Sequence, residues 1–236
     1  MKTLIALGVL VSAASGAAAQ EFQSSSLPAR MDLRGGPRMP TAGECEGSLD
    51  LYFRYSMISG NEGTGGKWNE DFADGLGFRV GGSGEYHVSE RWSVGGCLTT
   101  GVDVFRGKGG GGVSLDDWVV APIMAGPMIK VYFSPELYAE GHAIAGVVRY
   151  GSVGAKGLGG LPLIDESWAL AWEVGAHIGY KFDVDHGKAP TPQLAIQFGI
   201  DYERWNGPKF NQSTLPGASA RAVQNITFDF GVWLGF

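Results

Sequence analysis

The chain has 236 residues, 39 of them glycine, with 12 Phe, 8 Tyr and 7 Trp and a formal net charge of −6. That length suits one all-β domain, the aromatics exclude Gly-rich disorder, and an acidic balance without a basic stripe excludes nucleic acid as a partner. No window after residue 20 reads as a spanning helix. That excludes a helix-based membrane protein but not a barrel, whose alternating strands average to middling hydropathy.

Taken in chain order, Met1-Lys2, the apolar run Thr3–Val11 and the small residues leading to Ala17-Ala18-Ala19 read as a secretory signal peptide with Gln20 as first mature residue. The expected division is a signal peptide over 1–19, an irregular N-terminal periplasmic segment over 20–46, and a barrel over 47–236.

Eight strands are predicted from period-two alternation. The first, Ser48 to Met57, sets Leu49, Leu51, Phe53, Tyr55 and Met57 against Asp50, Tyr52 and Arg54. The second, Leu76 to Val88, sets Phe78, Val80 and Tyr86 against Arg79, Glu85 and His87. The third runs from Trp92 to Val104 with Cys97 and Asp103 on its polar face. The fourth, Trp118 to Phe133, contains Pro122 and Pro127, each of which deletes a ladder bond. A bulge is expected there, leaving the facing of 119–128 open, while Lys130 is placed inward. The fifth, Leu137 to Tyr150, carries Glu140 and His142 on one face. The sixth, Ser167 to Phe182, sets Leu170, Trp172, Val174 and Ile178 against Glu173, His177 and Lys181. The seventh, Gln193 to Trp205, sets Ile196, Phe198 and Ile200 against Asp201 and Glu203. The eighth, Asn225 to Phe236, has Phe228, Phe230, Val232, Leu234 and Phe236 on one side and Asp229 on the other.

The joins alternate in length: short at 89–91, 134–136 and 183–191, longer at 58–74, 106–116, 151–166 and 206–220. Short turns on one rim and long loops on the other are the pattern of a transmembrane antiparallel up-and-down β-barrel. Lipid offers no hydrogen bonds, so a sheet there must close on itself. A soluble lipocalin-like barrel is the alternative, and it reverses the facing, with apolar residues inside.

This layout resembles the small eight-stranded bacterial outer-membrane barrels, the OmpA-like and OmpX/Ail-like group. The resemblance covers about residues 47–236. It is carried by strand number, loop alternation, the hairpin from Glu85 to Trp92, the strand from Pro127 to Phe133 and the ending on Phe236. It implies a place in the outer membrane of a Gram-negative bacterium, among lipid and lipopolysaccharide. It also implies insertion by the barrel-assembly machinery, with Phe228, Phe230, Val232, Leu234 and Phe236 as the assembly signal.

Under this reading fifteen ionisable residues point into the lumen: Asp50, Arg54, Arg79, Glu85, His87, Asp103, Lys130, Glu140, His142, Glu173, His177, Lys181, Asp201, Glu203 and Asp229. An eight-stranded barrel is just wide enough for side chains to fill, so an internal charge network is expected to plug it. A narrow ion channel is the alternative. Aromatics near strand ends are expected to form rim girdles, with Tyr86, Trp92, Phe133, Tyr180, Phe182 and Phe236 on one rim and Trp118, Trp168, Tyr202 and Trp205 toward the other. Cys45 and Cys97 either form one disulfide in an oxidising compartment or stay as two thiols.

Catalytic signals are sparse. His87-Val88-Ser89 is similar to the His-x-Ser element of outer-membrane lipid A deacylases, but it lies at a periplasmic turn. The surrounding residues do not match either, and the element reads as a lumen His and a turn Ser. Glu173, His177 and Asp201 form an acid–base set without a nucleophile. Asp183, Asp185 and His186 read as a solvated turn. Gly107 to Gly112 fits a glycine-rich phosphate pattern with no helix after it, and reads as a flexible loop tip. No Cys/His spacing suggests zinc. No catalytic, cofactor-binding or metal-binding residue is assigned. The expected role is structural or one of surface interaction, with the long loops as the place where a partner binds.

Overall fold

The computed structural model describes residues 39–60, 66–110, 113–156, 159–182 and 193–236. The expected signal peptide, residues 20–38 of the N-terminal segment and the turn bearing Asp183, Asp185 and His186 lie outside the described residues.

Eight long strands form a closed antiparallel barrel. They are β1 (Cys45–Ser59), β2 (Phe72–His87), β3 (Trp92–Gly107), β6 (Trp118–Tyr132), β7 (Leu137–Tyr150), β10 (Ser167–Phe182), β11 (Gln193–Trp205) and β13 (Val223–Gly235). Sequential strands are neighbours all the way round. The ring closes where β1 pairs with β13, from Ser48↔Gly235 to Ser59↔Gln224. Closure leaves no open edge, which is what lipid demands of a sheet.

The facing decides between the two barrels considered from the sequence. Phe53 is 60% exposed, Leu76 68%, Leu170 66% and Phe198 54%, while Arg54, Arg79, Lys130 and Glu203 are buried. Apolar residues point out and charges point in. Outward Phe78, Phe53, Phe230 and Phe198 stand opposite one another on β2, β1, β13 and β11, so one phenylalanine row crosses the closing seam. The Phe198 and Phe230 rings are 5.0 Å apart. Such a belt has no counterpart in a soluble barrel, and this one crosses a membrane. Closure, an even strand number and an apolar outer band place the chain in an outer membrane.

The two described short turns share one device. Ser89 Oγ accepts hydrogen bonds from the Arg91 and Trp92 amides at 3.3 and 3.2 Å. Ser134 Oγ does the same for the Glu136 and Leu137 amides at 3.3 and 3.1 Å. A serine hydroxyl thus takes the place of a backbone acceptor and ends the strand tightly.

Three details differ from the sequence expectation. The ladder extends further than expected: β1 begins at Cys45, β2 at Phe72, and β3 runs on to Gly107. Second, β6 has no bulge. Its pairing with β3 runs in one register from Trp92↔Val131 to Phe105↔Trp118, and its pairing with β7 from Val120↔Tyr150 to Tyr132↔Tyr138. Pro122 stays paired with Val148 of β7, and Pro127 with Gly96 of β3. Each proline therefore keeps a partner on one side, and even-numbered residues from Trp118 to Tyr132 point inward throughout. A register shift occurs instead in β2, between Phe72 and Gly75.

Third, the long joins carry structure of their own. A second antiparallel sheet runs in the order β12-β9-β8-β5-β4, formed by Lys209–Phe210 (β12), Leu161–Asp165 (β9), Val153–Lys156 (β8), Val113–Leu115 (β5) and Gly109–Gly110 (β4). The glycine run expected as a loop tip therefore enters a ladder, with Gly109 opposite Ser114. One helical turn, α1 (Trp68–Asp71), precedes β2. The chain reaches it through Gly60 at φ +104°, where a Cβ would press on the Ala222 carbonyl.

Candidate functional site

The lumen is stratified. Toward the long-loop rim it is aromatic. Phe72, Phe105, Trp118, Tyr150 and Trp205 point in from the strands, and Trp68 joins them from α1. Trp118 stacks on Tyr150 at 5.1 Å and on Trp68 at 5.3 Å. Val153, Ile164 and Phe210 bring the loop sheet into the same apolar cluster. Trp118 and Trp205 are fully buried here, so they are not girdle residues. Strand parity outweighs the preference of tryptophan for an interface. Trp168 alone of the three tryptophans expected at that rim points outward.

Below lies the densest charge cluster. Arg54 Nε meets Asp229 Oδ1 at 2.8 Å, Nη1 meets Glu203 Oε1 at 2.7 Å, and Nη2 meets Asp201 Oδ2 at 3.1 Å. Arg79 contacts Glu203 at 2.7 Å, Glu173 at 3.1 Å and Asp103 at 3.5 Å. Glu203 thus bridges both guanidiniums, and so does Glu173, which lies 3.6 Å from Arg54. His142 Nε2 lies 3.0 Å from Glu173 Oε1, and His177 Nε2 lies 3.2 Å from Asp201 Oδ1. Pairing of this kind lets charges stand in a low-dielectric interior, and the planar guanidinium suits several carboxylates at once.

Two glycines make the arrangement fit. A Cβ at Gly175 would overlap the Asp201 carboxylate, and one at Gly199 would overlap the His177 ring. Both glycines occupy inward positions, so the wall is thinned where these side chains lie flat against it.

Nearer the short-turn rim, Tyr52, Gln197 and Tyr138 form a hydrogen-bonded chain. Asp50 stands beside Ser48, whose hydroxyl is 2.6 Å from that of Ser83. The lowest layer pairs Lys130 with Glu85 at 2.6 Å and with Glu140 at 3.7 Å. Lys181 pairs with Glu46 at 3.1 Å, and His87 Nε2 lies 3.4 Å from the same glutamate. Ser93 donates to Glu85. Both lysines lie over the ring of Trp233, at 5.2 and 4.6 Å. Aromatic faces and carboxylates together surround these ammonium groups.

All fifteen ionisable residues singled out in the sequence thus line the interior. Glu46 was missed because it fell in the segment read as irregular, although its parity with Asp50 and Arg54 would have found it. The described part of that segment is tied to the rim, with Gly43 N donating to His87 O at 2.8 Å and Met39 packed on the cluster of Tyr132, Tyr138 and Trp233.

Between the charge cluster and the Tyr52 chain lies a cavity of about 30 Å³. Its lining includes Asp50, Arg54, Cys97, Glu140, His142 and His177. A void of that size holds about one or two water molecules.

Cys45 and Cys97 are both free thiols. Cys45 pairs in register with Tyr86 and points outward, whereas Cys97 stands opposite Ser83 and faces the cavity. The wall separates them, so the disulfide considered from the sequence does not form. His87 and Ser89 of the His-x-Ser element also engage different partners, Glu46 inside the barrel and the turn amides respectively. Phe228, Phe230, Leu234 and Phe236 are exposed on the outer face.

No family model matches the sequence, and no curated protein matches it. Similar solved structures are small outer-membrane barrels. Ail, the attachment invasion locus protein of Yersinia pestis, is 13% identical, with 83% of this chain and 100% of that chain covered and a TM-score of 0.47. Neisserial surface protein A is 13% identical, with 81% and 97% covered and a TM-score of 0.45. OprG from Pseudomonas aeruginosa is 11% identical, with 84% and 99% covered and a TM-score of 0.43. The likeness is one of architecture, and the barrel assignment stands on this chain's own strand ladder.

Proposed function

We propose that this outer-membrane barrel is a plugged scaffold with a structural or surface-interaction role, presenting its loop sheet to the exterior. The observation that supports the reading is the layered packing of the inward side chains. Arg54 and Arg79 are packed between carboxylates at mid-depth, with a fully buried aromatic layer above and the Lys130–Glu85 layer below. Among the described residues a cavity of about 30 Å³ lies between these layers, and a conducting path needs continuous water.

The apolar belt suits acyl chains, with lipopolysaccharide as the outer-leaflet neighbour. The outward apolar face of β13 is the segment on which we expect the barrel-assembly machinery to act. The loop sheet shares one core with the barrel through Phe210, Ile164 and Val153. That makes it a rigid platform suited to binding a partner.

Planar-bilayer recording tests the plug. The purified chain should give no reproducible open events at modest voltage. Steady unitary conductance would overturn the plugged reading in favour of a narrow channel.

A further inference from the structure

Two strand crossings in the mid-lumen are built alike. His142 on β7, Gly175 on β10 and Asp201 on β11 are consecutive register partners. One strand further round, His177 on β10, Gly199 on β11 and Asp229 on β13 repeat the order. Each glycine stands inward between an imidazole and a carboxylate. A Cβ at Gly175 would strike both the Asp201 carboxylate and the His142 ring, and one at Gly199 would strike the His177 ring. The missing side chains let each histidine reach across a whole strand. His142 Nε2 lies 3.6 Å from Asp201 Oδ1, and His177 Nε2 lies 3.8 Å from Asp229 Oδ2.

Each ring also has a nearer carboxylate. His142 Nε2 is 3.0 Å from Glu173 Oε1, and His177 Nε2 is 3.2 Å from Asp201 Oδ1. Glu140, the register partner of His177, brings a carboxylate oxygen within 4.8 Å of a nitrogen of both rings. An ionised carboxylate only accepts hydrogen bonds, so each Nε2 carries a hydrogen and the charge of the ring rests on Nδ1.

The groups facing the two imidazoles come from every strand of the barrel. Asp50, Tyr52 and Arg54 come from β1, Arg79 from β2, and Cys97 and Asp103 from β3. On β6, Met128 lies beside His142, and Lys130 reaches Glu140 of β7 at 3.7 Å. Glu173 comes from β10, Asp201 and Glu203 from β11, and Asp229 from β13. Among the described residues seven carboxylates here thus face three fixed cations, one of which, Lys130, is shared with Glu85. Buried negative charge in excess is costly. A proton on each imidazole halves the excess.

We propose that His142 and His177 form a proton-held latch: both rings are imidazolium in the folded barrel, and loss of those protons loosens the mid-lumen layer. The inference does not depend on the plugged reading, since the charge of the rings is read without any conductance. Folding then takes up protons in neutral and mildly alkaline solution. The stabilisation is full below about pH 6.5, where histidines of the unfolded chain are themselves charged. It declines as the pH rises, because the folded chain there binds more protons than the unfolded one.

The test is ¹⁵N NMR of the histidine-labelled chain refolded in detergent micelles, with His142→Gln and His177→Gln assigning the signals. At about pH 7.5 both rings should show two protonated nitrogens, where a free imidazole is mostly neutral. Urea unfolding in the same detergent gives the second readout. The unfolding equilibrium constant should rise at least about tenfold between about pH 6.5 and 8.5, and the double variant should lose most of that rise. An unprotonated Nδ1 in either ring at about pH 7.5 would overturn the latch. So would a pH profile that the double variant leaves unchanged. If a variant fails to fold, the wild-type signals are assigned by ring contacts instead, His177 lying 5.2 Å from the Tyr52 ring and 5.1 Å from that of His142. The protonation of Nδ1 then decides.

Discussion

Arg54 and Asp229 face each other across the seam that closes the barrel: they are register partners on β1 and β13, and Nε stands 2.8 Å from Oδ1. The first and last strands of the barrel are therefore joined by an ion pair as well as by their ladder. Arg54 reaches past β13 to Glu203 on β11 and to Glu173 on β10 as well, so one guanidinium ties four neighbouring strands.

Removing that guanidinium leaves buried carboxylates without a counter-ion. Arg54→Met should destabilise the barrel by about 3–5 kcal/mol. Pairing it with Glu203→Gln should recover part of the loss, since one stranded charge is removed. Reversible urea unfolding in detergent or lipid measures both, and equal stability of Arg54→Met and wild type would contradict the network.

The outer face makes the opposite demand. Phe198 and Phe230 lie in the outward phenylalanine row on neighbouring strands. Phe230→Arg should cost about 2–4 kcal/mol in a bilayer if that row lies near the membrane midplane. The same substitution in a soluble barrel would be nearly harmless at so exposed a position. The comparison of unfolding free energies in vesicles is the check.

The thinned wall predicts a third result. At Gly199 a methyl group meets the His177 ring, and at Gly84 nothing lies within 4 Å of an added Cβ. Gly199→Ala should destabilise by about 1–3 kcal/mol, whereas Gly84→Ala should be close to neutral. Matched unfolding curves for the two variants distinguish steric crowding from a general intolerance of strand alanines.

The cysteines give a fourth. Cys45 is exposed on the outer face and Cys97 is half-buried facing the cavity. The folded barrel should react with about one equivalent of a bulky maleimide and the unfolded chain with both thiols. Non-reducing electrophoresis should show no internal bridge. Protection of both thiols in the folded, oxidised protein would contradict the facing.

The interior shows where sequence reasoning held and where it failed. The parity that puts Lys130 inward also puts Trp118 inward, provided β6 has no bulge. The two prolines made a bulge look necessary, but each keeps a ladder partner on one side and the register continues. Trp205 has the parity of Asp201 and Glu203. Placing it in a girdle followed its residue type instead of its position. In both cases an available periodic signal was overruled by a residue preference.

The alternation of apolar and polar residues determined, by itself, the strand number, the two faces of each strand and the membrane as the surrounding medium. Side chains alternate across a pleated strand whatever lies around it, so that information is local. Only the closed tertiary structure decided that Arg54 meets Glu203, that His142 and His177 converge on one oxygen of Asp201, and that the long joins build a sheet over a shared aromatic core. Those contacts depend on strand stagger and tilt around the ring, which set which depths coincide. No pattern within a single strand encodes them.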